Sequence, residues 1–426
     1  MKRSVFSQIS DQVLLPVLSD FIQWVIRSAV EEGVGRLYFL ARDGYPMYLA
    51  AQMFLSRKVP QIECRYLFCS RFSLRVPCFH LKGRDAMKEI CLGGIDVTLR
   101  KVLHRAALTE EEIVRIAEGM GLSGELDRIL SYQEVQRLIP RLEKAPGFLE
   151  LLNQHSREAY RDTMGYLRQE GLLDPIPCAV VDSGWTGTVQ QTLDLLRESG
   201  GCGKKLTGYY FGLYSLPKGS DFSKYHAYYF SPKGHIKRKV LFSNSLFEGI
   251  MSAPHGMTLG YRKEGETFKP VLKSQRNENQ ERILAFRDGL IPYMVHEERK
   301  LPKKIADWIR MDPKSQRKLF GRLARFMAYP TREEARVFGS LKFTDDVLEN
   351  GEHQLAARLE EEDIKRNHAL AKSLILLGIR KGPIRESAWM EGSIVQNGRR
   401  VRRHLRGNRR YKYLLYLKKY LGSLGK

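Results

Sequence analysis

The sequence predicts an α/β protein with an open, mostly parallel, Rossmann-like sheet, a helical insertion and a helical C-terminal region. Two matching strand-to-helix junctions indicate this class, at residues 36–45 and 178–188. In each, a short apolar run ends at an Asp and a Gly, and a helical pattern follows. The stretch between them is long, polar and helical in pattern. Open α/β sheets collect ligand-binding groups at the carboxyl ends of their strands, so both junctions should lie at one sheet edge.

The individual elements follow from the spacing of apolar residues. Residues 10–32 repeat apolar side chains at helical spacing, and Gly33 and Gly35 end that helix. A strand at 37–40 and a helix at 45–55 come next. Further strands are predicted at residues 65–69, 178–181, 206–214, 225–230 and 257–261. Later helices are predicted at residues 189–197, 282–294, 303–311 and 316–327, and after Pro330.

These elements divide the chain into four expected regions. Residues 1–81 and 171–270 form the α/β core, and residues 82–170 form a helical insertion or cap, in which Thr109 and Glu112 make a capping box. Residues 271–390 form a helical region. Residues 391–426 form a basic amphipathic tail.

Composition indicates a cytoplasmic protein. Apolar residues make up 43% of the chain and charged residues 28%, as in soluble globular proteins. Six scattered cysteines without a CxxC pair argue against zinc and against a disulfide scaffold. The N-terminus lacks the apolar core and cleavage site of a signal peptide, and no uninterrupted apolar run reaches the length of a membrane span.

The net charge of +23 is concentrated at the C-terminus. Residues 392–426 hold 11 Lys and Arg and no Asp or Glu. On a helical wheel, Tyr413, Leu414, Leu417, Tyr420, Leu421 and Leu424 share one side, with Lys412 and Lys419 opposite. Such a tail can bind an anionic membrane surface, which would make the protein peripheral at the inner membrane. A solvated, partly disordered tail is the alternative, and the absence of a recognisable motif argues against nucleic acid.

The first junction places Asp43 directly after an apolar strand and before Gly44. Asp43 is a candidate nucleophile, base or metal ligand, and Arg42 is a candidate phosphate ligand. The alternative is an Asp that only caps the following helix.

The second junction is richer in polar groups. Two glycines, Gly184 and Gly187, follow Asp182, and they permit backbone conformations that other residues disfavour. Side chains with hydroxyl groups lie at the start of the next helix. The candidate phosphate-binding residues of this loop are Ser183, Gly184, Thr186, Gly187 and Thr188. Backbone N–H groups and the helix dipole favour an anion there. Trp185 could stack on a sugar or a base, or it could be a packing residue in a capped turn.

Two further segments contain residue types that suit the same chemistry. Arg71 and Arg75 follow the second strand and could bind phosphate or carboxylate, or be ordinary surface charges. Glu248 and His255 lie in a later segment and are candidate acid/base groups. A His after Pro is more often a turn residue.

Several of these segments together resemble one group of bacterial proteins. The segments are LYFLARDG at 37–44, Ser70 with Arg71, VDSGWTGTVQ at 181–190, residues 247–256 and residues 330–339. They are similar to predicted hydrolases of the haloacid dehalogenase (HAD) superfamily associated with cell-surface polysaccharide synthesis. The resemblance runs from about residue 10 to 345, and this chain is expected to correspond to the part that follows a HAD-like domain.

The resemblance implies a HAD-like hydrolase, or a phosphoryl or glycosyl transferase, that binds a phosphorylated sugar or nucleotide-sugar. Asp43 and Asp182 would carry the chemistry and could hold Mg²⁺. The HAD nucleophile motif has a second Asp two residues after the first, and here Tyr45 stands in that position. The alternative is a non-catalytic, membrane-peripheral partner of a glycosyltransferase. Thr186 and Gly187 after Asp182 also resemble the phosphoribosyltransferase loop, although Val181 replaces the first residue of its acidic pair.

Overall fold

A central sheet of five parallel strands organises the protein. The computed structural model describes residues 3–58, 62–94, 96–274, 277–302, 312–344, 353–377, 379, 382 and 384–424, so the predicted helix at 303–311 lies outside the described residues. The strands are β1 (Arg36–Leu40), β2 (Glu63–Leu67), β3 (Cys178–Trp185), β4 (Thr207–Leu213) and β5 (Tyr225–Phe230). Their spatial order is β2-β1-β3-β4-β5. This confirms the predicted α/β class.

Helices cover the sheet and form the remaining layers. The described α-helices are α1 (Val5–Ile9), α2 (Leu15–Glu31), α3 (Gly44–Lys58), α4 (Arg71–Arg75), α5 (Phe79–Lys82), α6 (Ala86–Ile90), α7 (Leu99–Arg105), α8 (Glu110–Gly119), α9 (Tyr132–Lys144), α10 (Phe148–Gln169), α11 (Thr188–Ser199), α12 (Ile236–Val240), α13 (Asn244–Ile250), α14 (Gln280–Lys300), α15 (Pro313–Ala328), α16 (Arg332–Gly339), α17 (Glu361–Arg366), α18 (Ala369–Leu376), α19 (Met390–Asn397) and α20 (Val401–Leu424). A π-helical segment, Ser10–Leu14, joins α1 to α2. The predicted capping box of Thr109 and Glu112 opens α8.

The strand order reverses beside β1. The chain passes from β1 to β2 on one side, and it later returns to β3 on the other side of β1 before continuing outward to β4 and β5. The neighbouring loops after β1 and β3 therefore diverge to opposite faces of the sheet. In open α/β sheets this divergence leaves a crevice outside the carboxyl ends of the strands, where ligands bind.

The central strands β1, β3 and β4 are buried on both faces, which explains why they are largely apolar. On β1, Leu37 and Phe39 face a core shared with α2, α3 and α14. Tyr38 and Leu40 face a second core formed with α10 and α11. The alternation follows from the two-residue repeat of a strand.

The helical parts outside the sheet have hydrophobic clusters of their own. The predicted insertion is helical, and buried residues between Val76 and Leu152 form one cluster there. Near the C-terminus, buried residues of α16, α17, α19 and α20 form another. Neither cluster shares buried residues with the two cores that flank the sheet.

Two predicted strands need correction, and two short strands were missed. Strand β3 continues four residues beyond Val181 to Trp185, because β4 keeps pairing with it as far as Leu213. The strand predicted at 257–261 lies outside the main sheet, in an antiparallel hairpin of β6 (Thr258–Glu264) and β7 (Thr267–Leu272). Two short strands that were not predicted, β8 (Lys342–Phe343) and β9 (His353–Gln354), form a third sheet.

The basic tail is an ordered helix that packs on the protein, contrary to the solvated alternative. Helix α20 contacts α12, α18 and α19. Lys412, expected on the solvent side, instead pairs with the Glu391 carboxylate at 2.7 Å, and Glu391 is only 1% exposed. Asn408 donates a second hydrogen bond to the same oxygen, at 3.0 Å. These buried polar contacts set how α20 lies on α19.

Among the described residues, one helical run is long and apolar enough to cross a bilayer. It is Val5–Glu31, and 72% of its most apolar window is buried inside the fold. Core helices of soluble proteins and signal sequences share this length and composition. Here the run packs against the sheet as one of its covering layers.

The Arg36 side chain ties β1 to the segment that leads into β3. Its guanidinium is 9% exposed, and it contacts Glu63 on β2, the Gly171 carbonyl at 2.8 Å and Asp174 at 2.8 Å. Arg36 therefore joins three stretches of chain that meet at the amino ends of the central strands.

We predict that Arg36→Ala lowers the free energy of unfolding by about 2 kcal/mol, because buried polar contacts are lost while the half-exposed carboxylates regain water. Urea denaturation measures the loss. Arg65→Ala is the matched control, since Arg65 also pairs with Glu63 but is 29% exposed. It should cost below about 1 kcal/mol. Equal losses in the two variants would contradict the assigned role of Arg36.

Candidate functional site

A cleft of about 390 Å³ opens at the carboxyl ends of β1 and β3. Its volume lies in the range of small-molecule sites. Both predicted junctions line it, so the structure brings together residues 140 positions apart in sequence. The predicted site residues on its wall are Arg42, Asp43, Arg71, Asp182, Ser183, Gly184, Thr186, Gly187, Thr188 and Glu248.

Asp43 lies at the floor of the cleft, between the end of β1 and the start of α3. Gly44 lets α3 begin close to the sheet, because a Cβ there would come within 2.9 Å of the Phe39 carbonyl carbon. The Ser183 hydroxyl donates a hydrogen bond to the Asp43 carboxylate. This contact joins the two loops directly and fixes the orientation of one Asp43 oxygen.

The end of β3 and the turn that follows it have a left-handed backbone at Gly184, Trp185 and Gly187. Gly184 has φ of 109° and Gly187 has φ of 64°, both in the left-handed region. A Cβ at Gly184 would lie 2.5 Å from the Gly212 carbonyl oxygen, and one at Gly187 would lie 2.7 Å from the Tyr225 ring. The close approach to β4 and β5 turns the chain into α11 at the cleft wall.

Helix α11 begins with its backbone N–H groups at the cleft. No side-chain hydrogen bond caps this end, where Gly187 is the N-cap residue. The Thr186 and Thr188 hydroxyls are 3.4 Å apart beside it. Uncapped N–H groups, the helix dipole and two hydroxyls together suit an anion such as phosphate.

Three carboxyl groups face one another across the cleft. Burial raises the pKa of Asp43 well above its usual value, and the charges of Glu248 and Asp182 raise it further. Burial also raises the pKa of Asp182 to about 7; the Ser183 backbone N–H opposes the rise, and Glu248 adds to it. The site therefore holds protons near neutral pH unless a cation offsets its negative charge.

Trp185 lies at the edge of the cleft but is mostly buried, which favours the packing alternative over stacking on a ligand. Its ring is 7% exposed and lies against Phe242 at a centroid distance of 5.3 Å. Its indole N–H donates to a Glu248 carboxylate oxygen. Trp185 thus holds Glu248 in place at the cleft wall.

Two arginines from different segments line the cleft. Arg42 precedes Asp43, and its charge opposes the rise in the pKa of Asp43. Arg71 is exposed at the start of α4, and its charge likewise opposes the rise in the pKa of Asp182. Ser70 caps α4 and also donates to the Thr258 carbonyl at 2.6 Å, which fixes the helix that carries Arg71.

Arg75 and His255 are not among the residues that line the cleft. The Arg75 guanidinium lies 3.8 Å from Glu89 in the insertion. His255 contacts the Tyr66 hydroxyl at 2.8 Å and the Gly256 carbonyl at 2.8 Å, and burial lowers the pKa of its imidazole. Both side chains have structural partners beside the cleft.

One wall of the cleft includes residues that were not named as site candidates. Asn244, Ser245, Gly249, Ser252 and Met257 flank the predicted Glu248 and His255, whereas Lys273, Asn277, Glu278, Asn279, Lys342, Phe343 and Thr344 come from segments that sequence reasoning missed. Asn279 holds the Lys342 backbone through two hydrogen bonds of 2.9 and 2.8 Å. The cluster of Asn and Glu at 277–279 was the available signal, since polar loop residues of this kind often bind ligands.

The acidic groups offer a limited metal site. Within the described residues, no three His, Cys, Asp or Glu side chains are grouped closely enough to hold a metal ion. Asp43 and Asp182 remain as two carboxylates. Mg²⁺ commonly binds in this way, with water and substrate phosphate oxygens completing its octahedron.

Comparison with known proteins adds no family assignment. A scan against protein-family models finds no match, and a search of curated proteins finds none either.

We predict that Asp182→Asn changes how stability depends on pH. Folded Asp182, with a pKa of about 7, keeps a proton that the unfolded chain releases near 3.8, so stability falls as pH rises between these values. Removing the group should make the slope less negative by up to about 1.4 kcal/mol per pH unit. The slope is measured by urea denaturation between pH 4 and pH 7, with one unfolding curve about every half pH unit.

Asp127→Asn is the control for this measurement. Asp127 is exposed, and a hydrogen bond from Arg100 lowers its pKa, so it titrates below the same pH window. Its substitution should leave the slope unchanged. A wild-type slope in Asp182→Asn would show that Asp182 titrates normally in the folded protein.

Proposed function

We propose that the cleft binds a phosphorylated sugar or a nucleotide-sugar and that the protein acts on it as a hydrolase or a phosphoryl or glycosyl transferase. The observation that carries the proposal is the meeting of Asp43, Asp182 and Arg71 in one cleft with the uncapped start of α11. Residues that served only as unconnected caps would not need to converge in this way.

The geometry suits a phosphate group at the start of α11. The backbone N–H groups there and the hydroxyls of Thr186 and Thr188 are donors for its oxygens, whereas the Ser183 hydroxyl donates its proton to Asp43. Arg71 forms no hydrogen bond or ion pair with any described residue, so its guanidinium is available for a second contact. The cations Arg42 and Arg71 would offset the charge that a phosphate adds to an acidic cleft.

The carboxyl groups support acid–base and nucleophilic roles. One carboxylate attacks phosphorus, or the sugar carbon, and forms the new bond to oxygen. The bond to the leaving oxygen breaks, and that oxygen takes the proton of a second carboxyl group. Asp182, with a pKa of about 7, suits the proton transfer, and Glu248 is a further acid or base. Asp43 can attack only as the carboxylate, so a cation bound in the cleft would first have to favour the loss of its proton.

The spatial arrangement bears on the resemblance to the HAD superfamily. The sequence after Asp43 lacks the second Asp of that motif, since Tyr45 occupies its position. In the folded protein, Asp182 and Glu248 bring carboxyl groups to Asp43 from other elements. The resemblance also supplies the proposed context, the synthesis of bacterial cell-surface polysaccharide.

We predict that the full-length protein is stabilised by sugar phosphates, nucleoside diphosphates or nucleotide-sugars in a thermal-shift screen. A ligand at about 100 times its dissociation constant adds about 2.7 kcal/mol, which is readily measured. Arg71→Gln should weaken binding about tenfold, because one charge-assisted contact is lost. Asp43→Asn and Asp182→Asn should alter binding or abolish turnover.

Arg75→Gln is the matched control, because Arg75 lies on the same helix as Arg71 but outside the cleft. Each shift is taken relative to the same variant without ligand, which separates binding from stability. If no ligand stabilises the protein, or if Arg71→Gln and Arg75→Gln behave alike, the cleft proposal fails. The non-catalytic partner of a glycosyltransferase would then be the better reading.

We predict that Mg²⁺ strengthens binding of the phosphorylated ligand and that this effect grows with pH. Asp43 and Asp182 hold protons near neutrality and must release them to bind a cation, so Mg²⁺ affinity should rise from about pH 6 to about pH 8. Isothermal titration calorimetry in buffers of different ionisation enthalpy measures the released protons. If the affinity for the ligand depends on neither Mg²⁺ nor pH, a metal ion held by Asp43 and Asp182 is excluded.

A further inference from the structure

The three most exposed large apolar side chains in the described part of the chain lie on one short segment near the C-terminus. They are Leu370, Leu377 and Ile379, which are 75%, 72% and 71% exposed. Leu376, on the same segment, is 64% exposed. Isolated exposed leucines are ordinary, but four within ten residues, on and just after α18, form an apolar surface.

This segment lies beside α20, and the two helices run in the same direction. His368, which caps α18, contacts His404 at 3.0 Å. One turn later, the Lys372 ammonium lies 4.5 Å from the Tyr411 ring centroid. The residue numbers of the two contacts rise along both helices, so the C-terminal end of α18 lies beside the second half of α20.

The second half of α20 adds its own apolar side chains to this surface. Tyr413, Leu414 and Leu421 are 48%, 56% and 58% exposed. Its other side is attached to the protein, since Tyr416 stacks on Tyr214 at a centroid distance of 5.4 Å. The exposed side is therefore the outer face of a docked helix.

The helix also carries a strong positive charge. Helix α20 contains eight Lys and Arg and no Asp or Glu. Lys412 and Arg409 contact groups on the protein, namely Glu391 and Tyr329. The remaining six are exposed and form no ion pair with a described residue: Arg402, Arg403, Arg406, Arg410, Lys418 and Lys419.

We propose that α18, residues 377 and 379, and the outer face of α20 form one binding surface for an anionic lipid bilayer. Exposed leucines and an isoleucine would enter the acyl boundary, tyrosines would lie at the headgroups, and the six cations would meet anionic lipid. Nucleic acid would use the cations but would leave six exposed leucine and isoleucine side chains in water. A second copy would bring the same positive charge against itself, which is unfavourable.

The proposal adds a second element to the basic tail and does not depend on the cleft ligand. A tail acting through charge alone would bind anionic lipid in a manner lost at high salt. The combined surface should keep part of its binding at high salt, because burial of apolar side chains is not screened. The contribution of α18 is therefore measurable separately from that of α20.

The test is co-sedimentation of the full-length protein with vesicles of phosphatidylcholine alone and of equal parts phosphatidylcholine and phosphatidylglycerol. Binding to the anionic vesicles should fall about tenfold or more in Leu370→Glu/Leu377→Glu and in Arg410→Gln/Lys418→Gln/Lys419→Gln. The first pair should remove the binding that persists at high salt. The second set should remove the preference for the anionic lipid.

Matched controls change the same chemistry elsewhere. Ile129→Glu/Tyr132→Glu alters two apolar residues that are 60% and 69% exposed on the insertion. Arg115→Gln/Lys144→Gln/Lys263→Gln removes three exposed cations from other elements. Both should bind vesicles like the unchanged protein, and thermal unfolding confirms that all variants fold.

Three outcomes would overturn the proposal. One is equal binding of the protein to both vesicle types, or no binding to either type. Another is an oligomer, seen by light scattering, that Leu370→Glu/Leu377→Glu dissociates while vesicle binding is unchanged, which would assign the surface to a second copy. The third is tighter binding of the protein to a double-stranded oligonucleotide than to the vesicles, with this binding lost only in the charge variant. Ligand stabilisation in the cleft should be unchanged in every one of these variants, so failure here leaves the cleft proposal standing.

Discussion

The hydrogen bond from Ser183 to Asp43 is the contact on which the cleft depends. It joins two loops that are 140 residues apart in sequence, at the point where the strand order reverses between β1 and β3. Parallel pairing brings the carboxyl ends of these strands to one sheet edge, and Gly184 lets the second loop pass close to β4. Without that close approach, Asp43 and Asp182 would belong to separate loops.

The consequence of this closeness is electrostatic. Asp43 and Asp182 are partly buried, and this loss of solvation, together with the charge of Glu248, raises the pKa of each. Ion-pair networks that only stabilise a fold place opposite charges together, as Arg36 does with Glu63 and Asp174. A cleft that places like charges together costs stability, and such sites are found where a ligand, a proton or a cation restores the balance.

Much of the sheet could be predicted from the sequence, because a strand buried on both faces is apolar throughout and is bounded by glycine or polar residues. Strands β1 and β4, in which every residue is buried, illustrate this. The cleft floor was also predictable, since its residues directly follow strands. The wall that includes Lys273 and Lys342 was not, because those residues reach the cleft through tertiary packing of distant segments. Trp185 shows a third limit: an indole in a glycine-rich loop has the same sequence signature whether it faces a ligand or a core.

The C-terminal helix is attached to the same structure that forms the cleft. Glu248 is held by Trp185, whose ring lies 5.9 Å from that of Tyr214, and Tyr214 stacks in turn on Tyr416 of α20. The buried pair of Glu391 and Lys412 fixes the helix at a second point. Breaking such a pair is costly, since it would leave a carboxylate buried without its cation. The outer face of α20 therefore has a set orientation relative to the cleft. A surface held in this way presents the cleft to a bilayer in one orientation, which a flexible basic tail could not do.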